Sequence, residues 1–146
     1  MRALLQRVSQ SVVKVDGEVV GKIAKGVVLL LGIRNGDGLD EVKFVANKSI
    51  NLRIFNDEQG NLNKSLLEIE GEMLIISQFT LYGDTRKGRR PGFSDAAPPA
   101  VAEPLYEAFI EEVQKNGVKV ETGRFGAMME VVIQNEGPVT LLVESK

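Results

Sequence analysis

The chain has 146 residues, 43% of them hydrophobic, which is enough for one sizeable core and too little for two ordinary domains, so we expect one domain over 1–146. With 18 Lys and Arg against 20 Asp and Glu, the chain has no overall positive field, and RNA binding would need a local basic patch. The absence of His and Cys excludes a triad containing histidine, a thiolate nucleophile, disulfides and the usual zinc sites.

The first half of the chain is rich in strand signals. Alternating apolar residues and a hairpin signal at Asp16-Gly17 predict two paired strands, and the run GVVLLLGI predicts a strand buried on both faces. Asp40 is a suitable cap for the helix that follows. In chain order, we predict strands over 2–15, 18–23 and 26–33, a helix over 40–55, turns over 56–64 and a strand over 73–81.

The second half begins with a loop over 82–99 that holds three of the five prolines and four cations in five positions: Arg86, Lys87, Arg89 and Arg90. An amphipathic pattern then predicts a helix that ends at Asn116-Gly117, with Pro104 starting or bending it. The remaining predicted strands cover 118–121, 127–134 and 139–144.

The predicted order β-β-β-α-β-α-β-β-β indicates a mixed α+β domain. We expect largely antiparallel or mixed sheets that form a sandwich or barrel-like core, with two helices packed on the outside. The opening MRALLQRVSQ lacks the pattern of a secretory signal. The longest apolar run is far shorter than the roughly 20 residues that span a bilayer, so we expect a cytoplasmic protein with no membrane contact.

Two segments place polar residues, or glycine and proline, at positions where a buried strand would normally have apolar residues. They are SQFTL at 77–81 and NEGPVT at 135–140. Their order and spacing resemble the paired SQxTL and NxGPxT signatures of the D-aminoacyl-tRNA deacylase family. The resemblance extends over essentially the whole chain, including the opening MRALLQRVSQSVV and the loop RKGRRPGF.

The resemblance implies a homodimeric proofreading enzyme that hydrolyses the ester between a D-amino acid, or glycine, and the terminal adenosine of tRNA. Ser77 and Gln78 would shape the pocket near the ester, and Phe79 and Thr80 would offer backbone N–H groups to the oxyanion. We expect the Thr80 hydroxyl to position the substrate, because no base is apparent that would make it a nucleophile. The 2′-hydroxyl of the RNA is expected to assist. No metal, cofactor or DNA is expected.

Selection of one enantiomer is the harder task, because enantiomers have equal volume and hydrophobicity and must be separated by steric exclusion. The resemblance implies that Gly137 and Pro138, joined by a cis bond, reach from one subunit into the active site of the other, and that Arg7 helps to hold them. Phe125 and Met129 would line the site of the terminal adenosine through stacking and sulfur contact. The alternative, that Phe125 and Met129 are simply core residues, fits the sequence equally well.

Two other classes of function fit the same residues. A non-catalytic RNA-binding module would use the basic loop at 86–90, although charge runs of this kind are usually only solvated. An acyl hydrolase would use Thr80 as a true nucleophile. Deacylation of matched D- and L-tyrosyl-tRNA separates both from the editing enzyme.

Overall fold

The computed structural model describes residues 1–145, and its largest sheet is built around one long strand. The strands are β1 (Arg2–Val15), β2 (Glu18–Ile23), β3 (Gly26–Gly32), β4 (Phe55–Asn56), β5 (Leu62–Lys64), β6 (Glu72–Ser77), β7 (Lys119–Thr122) and β8 (Glu130–Glu144). The helices are α1 (Leu39–Asn51) and α2 (Pro99–Lys115), and a 3₁₀ turn (Phe79–Tyr82) follows β6.

Strand β1 organises the sheet because it pairs along both edges. One edge pairs antiparallel with β3 and then with β2, and the other pairs antiparallel with β8. Strands β3, β6 and β7 are parallel, and β7 returns close to β2, where the Lys22 N–H donates to Glu121 Oε1 over 3.4 Å. The sheet therefore curls into a nearly closed barrel, which confirms the expected barrel-like mixed architecture.

The core has two parts, one inside the barrel and one beneath the helices. Val28, Leu74 and Ile76 face the barrel interior, whereas their strand neighbours Leu29 and Ile75 face the helices. Both central strands are thus buried on both faces, as predicted for β3. Burial of each large side chain contributes about 1.5–3 kcal/mol. The helix-side core is completed by Val42, Val45 and Ile50 of α1 and by Tyr106, Phe109 and Val113 of α2.

Helix α1 begins one residue before the predicted cap. Gly38 is the cap, its N–H donates to the Glu41 carboxylate over 2.7 Å, and Asp40 lies in the first turn. The helix ends at Asn51, earlier than predicted, because Phe55 is drawn into the small hairpin of β4 and β5. Helix α2 begins earlier than predicted and contains Pro104 in its interior. Within residues 1–145, no helix is long and apolar enough to cross a membrane.

Candidate active site

The SQFTL segment ends β6 and reverses the chain. The Gln78 N–H donates to Leu31 O over 2.7 Å, and the first hydrogen bond of the 3₁₀ turn runs from the Leu81 N–H to Gln78 O. Phe79 and Thr80 are the first two residues of the turn, so the turn offers no carbonyl acceptor to their N–H groups. Within residues 1–145, neither N–H group has another backbone acceptor. Two donors therefore remain available side by side.

The side chains of this turn form a small polar group. Gln78 Nε2 donates to Thr80 Oγ1, so the hydroxyl keeps its own proton for another acceptor. Ser77 is half-buried and Thr80 is exposed. In the described part of the chain, no carboxylate or amine contacts Thr80 Oγ1. Nothing there activates the hydroxyl as a nucleophile.

Three titratable groups near the turn have shifted pKa values. Burial raises the pKa of Tyr82 to about 12 and also raises the pKa of Tyr106. Hydrogen bonds from Arg86 lower the pKa of Asp84 to about 2. Among residues 1–145, no three acidic side chains are grouped as metal ligands would be. The absence of a metal or cofactor stays a prediction.

A second loop, at 123–129, emerges beside the turn. Strands β6 and β7 are parallel, so both segments leave the same edge of the sheet. Phe125 is half-buried with its ring 5.8 Å from that of Tyr106, and Met129 packs towards the barrel interior. A Cβ on Gly123 would lie 2.5 Å from the Met129 sulfur, so a larger residue there would displace the Met129 side chain. Both residues lie at the site edge while also packing against the core.

The NEGPVT segment forms a wide bulge in β8. Asn135 pairs with Val8 and Thr140 with Gln6, so four residues of β8 stand opposite one residue of β1. The two predicted strands on either side of this segment are in fact one strand. Proline cannot donate to a ladder and is tolerated at such a bulge.

Asn135 closes the base of the bulge, and sequence reasoning did not single it out. Its Nδ2 donates to Arg7 O over 2.9 Å and to Val139 O over 3.1 Å. In the sequence, the one indication that Asn135 closes the bulge was its position as the first residue of the NxGPxT signature.

Arg7 lies directly against the bulge and is 6% exposed. Its Nε donates to Glu136 O over 3.1 Å, and its Nη1 donates to Ile54 O over 2.7 Å. A Cβ on Gly137 would lie 1.8 Å from Nη2. The side chain therefore fills the space behind the glycine and holds the bulge to the segment after α1.

The expected cis bond between Gly137 and Pro138 is not found, since no peptide bond is cis among residues 1–145. Gly137 has φ +106°, a conformation that favours glycine, and this turns the chain within the bulge while the bond stays trans. The trans form of an X-Pro bond is favoured by about 0.5–1 kcal/mol.

The bulge and the SQFTL turn are not brought together within one chain. Ser77 pairs with Leu31, which pairs with Ala3, whereas the bulge stands opposite Arg7 and on the far side of β1. With about 3.3 Å per residue and 4.8 Å per strand, the two motifs are separated by on the order of 15–20 Å. Of the expected site residues, the chain groups Ser77, Gln78, Phe79 and Thr80 with the loop of Phe125 and Met129, and it groups Arg7 with Gly137 and Pro138.

Comparisons with known proteins agree with the resemblance seen in the motifs. The family model described as D-Tyr-tRNA(Tyr) deacylase matches residues 4–144. A protein of Roseiflexus castenholzii named D-aminoacyl-tRNA deacylase is 58% identical, over 99% of this chain and 92% of its own length.

Two solved structures share the fold. The c-Myc DNA unwinding element binding protein has a TM-score of 0.94 and 41% identity, and the match covers 100% of this chain and 99% of that one. A probable eukaryotic D-amino acid tRNA deacylase has a TM-score of 0.84 over 99% and 98% of the two chains, and at 21% identity it supports the fold alone. Because the family model spans nearly the whole sequence and the Roseiflexus protein matches 99% of this chain, the chain belongs to the D-Tyr-tRNA(Tyr) deacylase family.

Proposed function

We propose that this chain is an aminoacyl-tRNA deacylase that hydrolyses the ester between a D-amino acid, or glycine, and the terminal adenosine of tRNA. The observation that carries the proposal is the pair of unpartnered N–H groups of Phe79 and Thr80 in a chain of this family. An aminoacyl ester is already activated, so hydrolysis needs chiefly a positioned nucleophile and donors for the oxyanion.

In this mechanism, the ester carbonyl lies against the N–H groups of Phe79 and Thr80. Negative charge develops on the carbonyl oxygen as water attacks, and the two donors stabilise that charge more than they stabilise the ground state. The bond between the carbonyl carbon and the ribose 3′-oxygen then breaks, and the neighbouring 2′-hydroxyl relays the proton lost by the attacking water to that oxygen. Tyr82, Tyr106 and Asp84 do not take this role, because their pKa values are shifted away from neutral pH. The Thr80 hydroxyl orients the substrate.

The terminal adenosine would lie along the loop at 123–129. Phe125 offers a half-buried ring and Met129 a polarisable sulfur at the same edge of the sheet as the turn. Their core packing fixes their positions and is compatible with one face of each contacting a base.

Selectivity against L-amino acids is assigned to the bulge of a second copy of this chain. The bulge is too far from the SQFTL turn of its own chain to act there. Strand β8 pairs only with β1 among the described residues and leaves its other edge open. Val132, Leu141 and Leu142 of this strand are 48%, 41% and 49% exposed. A long unpaired strand edge with exposed apolar residues favours aggregation. A homodimer interface would cover that edge.

Across that interface, the main chain at Gly137 and Pro138 would stand beside the α-carbon of the substrate. Backbone atoms that Arg7 and Asn135 hold in place form a stiffer wall than mobile side chains. Such a wall accepts the α-amino group and a D side chain and leaves no room for an L side chain. Its bond configuration is trans in the single chain.

The test is deacylation of matched D- and L-tyrosyl-tRNA. We expect turnover of the D substrate and very little of the L substrate. Thr80→Ala should retain measurable activity, as should the control variant Thr85→Ala, which changes an exposed threonine outside the turn. A D-tyrosyl-tRNA that ends in 2′-deoxyadenosine should be a very poor substrate.

Each alternative function gives a different result. A non-catalytic module binds tRNA without any turnover. An acyl hydrolase with a threonine nucleophile loses all activity on Thr80→Ala and still cleaves the 2′-deoxy substrate, and that pair of results would overturn the proposed mechanism.

A further inference from the structure

Two phenylalanine rings are exposed beside the SQFTL turn. Phe79 is 55% exposed and Phe93 is 38% exposed, and their ring centroids are 5.2 Å apart in an edge-to-face arrangement. A Cβ on Gly83 would lie 3.0 Å from the Phe93 ring, so this glycine lets the ring approach the chain. Exposed aromatic rings held at fixed positions are surfaces on which nucleobases stack.

The loop that carries Phe93 has a defined shape. Asp84 and Gly92 exchange backbone hydrogen bonds of 2.7 and 2.9 Å, which close the loop at its base. Arg86 donates two side-chain hydrogen bonds to the Asp84 carboxylate, so its charge is largely compensated. The base of the loop is therefore closed, and it lies beside the SQFTL turn through the contact of Phe93 with Phe79.

The remaining cations of the loop are uncompensated. Lys87, Arg89 and Arg90 are exposed, and none has a carboxylate within 4.0 Å in the part of the chain that the structure describes. The whole chain carries a net charge of −2, so this is a local concentration of positive charge. Exposed Lys and Arg in such a group complement a phosphate backbone.

We infer that these five residues, Phe79, Phe93, Lys87, Arg89 and Arg90, form one surface that binds the single-stranded 3′ end of the tRNA. The inference rests on the proposed function, because the ester at Phe79 and Thr80 fixes where the strand ends. The nucleotides before the terminal adenosine stack on the two rings, and their phosphates contact the three cations. We call these residues the strand-binding surface. Stacking tolerates any base, and the phosphates that accompany the bases complement the three unpaired cations.

The first test neutralises the cations in the variant Lys87→Gln/Arg89→Gln/Arg90→Gln. Kinetics are measured on D-tyrosyl-tRNA and on the D-tyrosyl ester of adenosine, which lacks the preceding nucleotides. We expect KM for the tRNA to rise about 10-fold or more at moderate salt, because three contacts to phosphates are lost. Each single-strand phosphate contact contributes about 0.7 to the salt slope. The slope of log kcat/KM against log salt should fall by about 2. The nucleoside ester should be cleaved as by the wild type, which also verifies that the site is folded.

A matched control removes three exposed lysines elsewhere, in Lys25→Gln/Lys43→Gln/Lys115→Gln. If the two triple variants show the same KM and the same salt slope, the inference is wrong. As a second variant, Phe93→Leu should raise KM for the tRNA about 5-fold or more through lost stacking, with the nucleoside ester unaffected. An unchanged KM for Phe93→Leu would show that the two rings do not contribute to binding of the strand.

Failure of the proposed function gives a different result. In that case the wild type does not cleave D-tyrosyl-tRNA at all. The surface is then tested by fluorescence anisotropy with an RNA hairpin that carries a single-stranded 3′ overhang. Tighter binding by the wild type than by the loop variant supports the surface, and equal binding overturns it.

Discussion

At the scale of single residues, Arg7 and the bulge depend on each other. A guanidinium that is 6% exposed must have its donors satisfied. The acceptors here are carbonyl oxygens of Glu136 and Ile54 and the side-chain oxygen of Asn56, with no carboxylate among them. The guanidinium is therefore stabilised by neutral oxygen dipoles, of which the Glu136 carbonyl is in place only when the bulge has this shape.

The most direct residue-level prediction is Gly137→Ala. The new Cβ would lie 1.8 Å from Arg7 Nη2, and the rigid guanidinium cannot move away without losing the hydrogen bonds of its Nε and Nη1. In addition, φ +106° is strained for alanine. We expect the free energy of unfolding to fall by about 2–4 kcal/mol and discrimination between D- and L-tyrosyl-tRNA to weaken. Urea denaturation and the paired deacylation assays measure the two effects.

Gly117→Ala is the matched control for this change. Gly117 has φ +92°, and a Cβ there would have no neighbour within 4 Å. It therefore carries the backbone strain alone, about 1–3 kcal/mol, without a clash. Equal losses of stability in the two variants, with D/L discrimination intact in both, would show that Arg7 is not coupled to the bulge.

At the scale of elements, the sequence predicts structure best where local chemistry and global packing agree. Asp16 and Gly17 have φ 51° and 79°, as a tight hairpin between β1 and β2 requires. Strands β3 and β6 are buried on both faces because the barrel lies on one side and the helices on the other. In both cases the structure that the local pattern favours is also the one that the packing requires.

Prediction fails where tertiary pairing overrides a local signal. Gly137-Pro138 is typical of a strand end, yet β1 pairs with β8 on both sides of it and keeps the strand continuous. Phe79 and Leu81 extend an apolar alternation, yet the chain turns there because β3, the neighbour of β6, ends at Gly32. Neither partner strand is visible from the segment itself.

One prediction concerns how the stability of the start of α1 depends on pH. Hydrogen bonds from the Gly38 N–H and from its own N–H lower the pKa of Glu41 below 4.5. A lowered pKa in the folded state means that this stabilisation is present above about pH 4.5 and is lost as the pH falls through the lowered pKa. In Glu41→Gln, the free energy of unfolding should therefore change less between about pH 5 and pH 3 than in the wild type.

Chemical denaturation at a series of pH values gives the comparison. Glu18→Gln, an exposed change on β2, serves as the control and should follow the wild-type curve. If Glu41→Gln shows the same pH dependence as Glu18→Gln, the carboxylate does not stabilise the helix end.

At the scale of the whole molecule, the two signature motifs mark different places. Their co-occurrence was visible in the sequence, but their separation was not, since it depends on strand order. β8 lies on one side of β1, while β3 and β6 lie on the other. Helix α1 contacts β8, whose Val143 is buried in the helix-side core, but among the described residues no strand pairs with the outer edge of β8. We expect a second copy of the chain to be the partner at that edge.

The last prediction concerns that partner. Neighbouring side chains of a strand point to opposite faces, and Leu141 shares its face with Val139 and Val143, which pack against the core, yet Leu141 and Leu142 are both exposed. We expect the wild type to sediment as a dimer and Leu141→Asp/Leu142→Asp to sediment as a monomer, since buried charges without partners are costly. The variant should keep its circular dichroism spectrum and lose at least about 10-fold in deacylation.

Val19→Asp is the control, because Val19 is 55% exposed on β2, which pairs with the edge of β1 opposite to β8. It should remain dimeric and active. A wild type that is monomeric at concentrations where it still rejects L-tyrosyl-tRNA would place enantiomer selection within one chain. The separation of the bulge from the SQFTL turn makes that outcome incompatible with the bulge as the selective wall, and selection would then have to come from side chains around Ser77 and Phe125.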